Sequence, residues 1–127
     1  MKKILIAASC VAGLALPTAA LADVAQEINT AATHAGLAAK APAIDGVHMH
    51  MHHALNCLVG PKGDGFDSSQ MNPCASQGNG AIPDASDAQK AKLTQAVATL
   101  KAGIASSDLA TAAKDATDAA ATIGSAK

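Results

Sequence analysis

Apolar residues along this chain recur three and four apart, and most of them are alanine. That spacing lays one apolar face along a helix and does not suit the alternation of a strand. From 24 to 40 the face is Val24, Ile28, Ala32, Ala35 and Ala39. Asp23 can cap this helix, Glu27 lies near the positive end of its dipole, and Pro42 stops it. Asp45 is expected to cap a second helix that carries Leu55 and Leu58 and ends near Val59, before Gly60-Pro61. His48, His50 and His52 alternate as a strand would, but Ala54-Leu55 and the Gly-Pro stop favour helix. Asp84 is expected to cap a third helix with Leu93, Val97, Leu100 and Ile104 on one face. A fourth follows the turn Ser106-Ser107-Asp108, capped by Asp108 or Ser107, with Leu109, Ala112, Ala113, Ala116, Ala120 and Ile123 aligned. So short a connection implies an antiparallel hairpin. The expectation is an all-α fold, an up-down antiparallel four-helix bundle.

Alanine lets helices approach closely but buries little area, so such a core is thin. Two features of the sequence compensate. Residues 60–83 form a long loop rich in Gly, Pro and Asn, and a loop of this length in a small domain is either functional or pinned. Cys57 near the end of helix 2 and Cys74 in the loop supply the pin as a disulfide, worth roughly 3 kcal/mol in the chain-entropy model. Phe66, the only aromatic residue, is expected to fold back onto the helices. A bound metal would help in the same way.

The N-terminus reads as an export signal. Lys2 and Lys3 precede an apolar run from Ile4 to Leu16, Pro17 breaks it, and Ala20-Leu21-Ala22 is a small-x-small cleavage site. The run is too short to span a bilayer. Cys10 lies inside the run and leaves with it. Residues 1–22 are therefore expected to be a signal peptide and 23–127 a single helical domain, periplasmic or secreted, with no membrane association after cleavage. An oxidising compartment agrees with the disulfide. Without Lys2 and Lys3 the chain keeps seven Lys against ten acids, a net charge of −3, and it has no Arg, Trp or Tyr. Nucleic-acid binding is disfavoured.

The chemistry is concentrated in His48-Met49-His50-Met51-His52-His53. Imidazole is the commonest protein ligand for transition metals, and thioether is a soft ligand for copper(I). On a helix His48 and His52 are one turn apart, His50 and His53 share another face, Met49 pairs with His53, and Met51 lies beside His48. One helix gives only a bidentate site. His34, late in helix 1, is expected to approach His48 or His52 across the hairpin, with Asp45 and Met71 as weaker candidates. The expected ligand set is His48, His50, His52, His53 and His34, helped by Met49 and Met51. Copper is the first choice of metal, with zinc and nickel as alternatives. An exposed His helix can also bridge two copies of the chain through one metal.

Other chemistries find little support. There is no CxxC or CxxCH, so zinc-ribbon, thioredoxin-like and c-type haem readings fall away. Asp64 and Asp67 lack the spacing of a calcium loop. No catalytic set stands out, and no enzyme is expected. Two alternatives stay open. One is a b-type haem or electron-transfer bundle with a His/Met axial pair, although the core lacks residues to wall a porphyrin. The other is a structural or partner-binding helical module whose His run is a surface feature.

An exported, Ala-rich chain with His on paired helices resembles the small periplasmic His-rich metal-binding proteins of bacteria. The resemblance rests on general architecture and on the run from His48 to His53. It implies metal sequestration, buffering or delivery rather than catalysis. Here His is confined to helices 1 and 2, and the cysteine-bearing loop is an addition to that pattern.

Overall fold

The computed structural model describes residues 22–127, so the expected signal peptide, Cys10 included, lies outside the described residues but for Ala22. Five helices, and no strand among the described residues, make up the fold: α1 (Val24–Ala39), α2 (Ile44–Val59), α3 (Ala81–Asp84), α4 (Asp87–Ala105) and α5 (Leu109–Gly124). α1 packs on α2 and α5, and α4 packs on α5 and α2. The four long helices are thus neighbours in a closed circuit. Their facing sides carry Ile28, Ala31 and Ala35 from α1, Val47, Met51 and Leu58 from α2, Leu93 and Leu100 from α4, and Ala112, Ala116 and Ile123 from α5, all fully buried.

The caps explain where the helices begin. Asp23 accepts from the Gln26 N–H at 3.0 Å and starts α1 as expected. Asp108 does the same for α5, accepting from Thr111 N–H at 2.8 Å. Two expected caps are corrected. α2 starts before Asp45: Ala43 is its cap, its carbonyl taking the Gly46 and Val47 N–H groups at 3.1 Å, and Asp45 lies in the first turn. Asp84 does not cap the third long helix. It closes the one-turn α3, and its carboxylate turns back to accept from Asn79 N–H (2.7 Å) and the Asn79 side-chain amide (3.0 Å). With Asp84 so engaged, α4 begins after Ser86, whose N–H is accepted by Gln89 Oε1 at 3.1 Å in a capping box.

The segment between α2 and α3 is a closed loop. Gly60 and Gly80, its two ends, both have positive φ (68° and 116°). They lie so close that a Cβ on Gly60 would collide with the Asn79 carbonyl, which leaves room only for glycine. Cys57 and Cys74 stand at disulfide distance, with Cα atoms 5.1 Å apart and both side chains buried. Phe66 packs against the core from this loop.

The loop's inner anchor is Asn56, fully buried on α2. Its Nδ2 donates to the carbonyls of Asp67 (2.9 Å), Met71 (3.1 Å) and Gln70 (3.3 Å), and its Oδ1 accepts from Asp67 N–H at 2.9 Å. Segment 74–80 then runs back along α1. Asp23 N–H donates to the Gln77 carbonyl at 2.8 Å, and Thr30 Oγ1 and the Gln77 side chain bond each other.

Candidate metal centre

α1 and α2 are joined by four residues, Lys40 to Ala43, so α2 runs back along α1. The end of α1 therefore meets the first half of α2. His34, five residues before the end of α1, faces His50 and His53 of α2. Ring centroids are 5.7 Å apart for His34–His50, 5.2 Å for His34–His53 and 5.7 Å for His50–His53. One ring nitrogen from each of the three lies within 4.8 Å of those of the other two. This is the one group of three or more His, Cys, Asp or Glu so arranged among the described residues.

His50 and His53 share a face because residues three apart on a helix stand about 60° apart around its axis. His53 is the deepest of the three, 6% exposed, while His34 and His50 are half-buried. The Nδ1 atoms of all three are shielded from solvent and have no hydrogen-bond partner, and the same is true of His52 outside the group. The convergence of ring nitrogens from His34, His50 and His53, which His52 does not join, is what singles out the three. Burial, and then the charges of His53 and His50, hold His34 below the ordinary imidazole range. Burial, and then His50 and His52, do the same for His53. Both effects favour neutral rings, whose free lone pairs are what a cation needs.

The remaining expected ligands are placed elsewhere. His34 meets neither His48 nor His52, correcting the expected pairing by one helix face. His48 Nε2 sits 2.9 Å from the Ser106 carbonyl just after α4, a contact that ties α2 to the α4–α5 turn. His52 faces the loop, its Nδ1 3.6 Å from Asp67 Oδ2. Met51 is fully buried and packs on Gly103 of α4, where a Cβ would collide with its Cε. It fills a gap between helices. Met49 is 42% exposed and adjoins His50 in sequence, on the helix turn before His53. Met71 is exposed on the loop, and Asp45 lies at the start of α2.

Two buried polar residues escaped the sequence reading, Asn56 and Glu27. Each sits on an apolar helix face where spacing alone predicts a hydrophobe, and that misfit is the only signal they leave.

Comparison with protein-family models, with curated proteins and with solved structures finds no match to this chain. Among the described residues no helix is long and apolar enough to cross a membrane.

Proposed function

We propose that this chain is an exported protein that holds a transition metal, copper before zinc or nickel, through His34, His50 and His53. Its role is sequestration, buffering or delivery rather than catalysis. The observation that carries the reading is the convergence of three imidazoles from two helices, with ring nitrogens within 4.8 Å of one another. A tetrahedral ion with bonds of about 2.0–2.1 Å needs ligand nitrogens about 3.3 Å apart. The three must therefore close by up to about 1.5 Å on binding an ion. An all-imidazole set suits copper(II), nickel and zinc, and the exposed thioether of Met49 next to His50 brings copper(I) into range.

Three protein ligands leave a fourth position for water, a transfer partner or a second copy of the chain. That vacancy suits a protein that must release its metal. The export reading draws on the N-terminal pattern of residues 1–22, on the Cys57–Cys74 pair and on the lack of a membrane-crossing helix among the described residues. The circuit α1–α2–α4–α5 supports the four-helix bundle. The likeness to small periplasmic His-rich metal-binding proteins points the same way.

Calorimetric titration of residues 23–127 with copper(II) and with zinc tests the proposal, beside a variant with His34, His50 and His53 all changed to Ala. Sub-micromolar binding that the variant loses is the expected result. Affinity no better than that of a generic His tag, or equal in the two proteins, would return the chain to the structural-module reading.

A further inference from the structure

Far down α1 from the imidazoles lies a second buried titratable group. Glu27 is in the first turn of α1 and its side chain is fully buried. Its Oε1 accepts from Gly80 N–H at 2.9 Å, but its Oε2 is buried with no donor in reach. The group beside it is the Asp84 carboxylate of α3. The two carboxyls converge on Gly78, where a Cβ would collide with both Asp84 Oδ2 and Glu27 Oε1.

Asp84 has a donor on each oxygen, Asn79 N–H on Oδ2 and the Asn79 amide on Oδ1. Glu27 Oε2, beside a carboxyl whose oxygens already have donors, is left an unpaired acceptor. An ionised carboxylate fully buried beside a second carboxyl is disfavoured, and protonating Glu27 relieves both its desolvation and the repulsion. The proton belongs on Glu27 Oε2, where it converts the orphaned oxygen into a donor.

We propose that Glu27 holds one buried proton beside Asp84 and acts as a latch that clips the segment 77–84 onto α1, opening when that proton is lost. The surrounding charges agree with this placement. Burial pushes the Glu27 carboxyl up, the Gly80 N–H opposes it, and Asp84 and Asp23 add to the rise. No charged group of α2 or α5, the other elements packed on α1, acts on Glu27. A carboxyl raised on folding contributes most below its unfolded value, 4.5, and that contribution is lost as pH rises through the folded value. The segment's other ties to α1 are uncharged: the Asp23–Gln77 backbone bond and the Thr30–Gln77 pair. Loss of the proton thus loosens Asp84 and α3 first, while Gly80 N–H keeps its acceptor on Oε1. This latch stands independently of the metal centre.

Glu27→Gln is the test, because its amide keeps an oxygen for Gly80 N–H and places an N–H where the proton sits. Melting temperatures of the two proteins, followed from about pH 4 to about pH 9, should coincide at the acid end and diverge as pH rises, the wild type falling below the variant. Amide exchange at Asp84, whose N–H bonds the Gly80 carbonyl at 3.2 Å, should accelerate in the wild type relative to the variant over the same range. The wild type should also show one protonated-carboxyl infrared band that persists to higher pH than those of the free carboxyls, and the variant should lack it. That band is read on the wild type, so it decides the matter even if the variant folds poorly. Parallel melting curves, or no such band, would overturn the proposal. So would a calcium-induced rise in wild-type melting temperature that the variant loses, which would put a hard cation between the carboxyls.

Discussion

Truncating His34 to Ala separates the two-helix site from a helix that binds alone. The chain carries five His, and only His34 comes from α1. Structural zinc sites with four ligands bind with roughly 10–16 kcal/mol, so one ligand carries about 3 kcal/mol. By the usual conversion that is about 100-fold in affinity. His34→Ala, His50→Ala and His53→Ala should each weaken copper(II) and zinc by about that factor, read by competition against a chromophoric chelator. His48→Ala should leave affinity within about threefold, because its Nε2 is engaged with the Ser106 carbonyl at 2.9 Å. Its cost should appear in the melting curve instead, about 1 kcal/mol for the lost hydrogen bond. The argument fails if His34→Ala leaves affinity untouched, or if His48→Ala weakens binding as much as His34→Ala does.

Three further outcomes are expected. Asn56→Ala should cost about 2–3 kcal/mol, since its two amide hydrogens and its oxygen hold four loop groups. At about 4–8 °C per kcal/mol the melting temperature should drop by roughly 10–20 °C, and Asn56→Asp should do no better, because it aims a carboxylate at three carbonyls; wild-type melting in either variant would refute the anchor. Reducing Cys57–Cys74, or Cys57→Ser, should remove about 3 kcal/mol and lower melting by about 10 °C or more while metal binding largely survives; unchanged melting would refute the pin. His34 and His53 are held below 6.5 by burial and by their imidazole neighbours, so the unfolded chain takes up protons first as pH falls. Their contribution to metal-free stability is then full above about pH 6.5 and drains away as pH falls through the folded values, and a double His34/His53→Ala variant that kept the same acid slope in its melting curve would contradict this.

The helices were legible because their signals are local. Ala and Leu at helical spacing, Asp23 and Asp108 at caps, and Gly60-Pro61 as a stop all act within one or two turns. The same locality misled at Asp84, where a cap signal was outcompeted by Asn79, five residues back. Cys57 and Cys74 were paired by elimination, since Cys10 falls in the expected signal peptide. The His run marked α2 as the place of the candidate metal site, and the hairpin argument brought His34 to it.

Which histidines meet was beyond the sequence. Helical spacing offers His48–His52 and His50–His53 as equivalent pairs, and only the rotation of α2 against α1 chooses between them. That rotation is set by the burial of Met51 against Gly103 and of Val47, Ala54 and Leu58 in the core, which turns His50 and His53 toward α1 and leaves His48 to Ser106. Glu27 and Asn56 are hidden for a related reason: a polar side chain on an apolar face becomes buried only when a distant segment, here the closed loop, supplies its hydrogen bonds. The sequence by itself determined the elements and the kind of chemistry, because propensity, capping and ligand type are properties of single residues and short windows. The tertiary structure decided the histidine triad, the meeting of Glu27 with Asp84 and the loop's anchor, because each is made by groups brought together from separate parts of the chain.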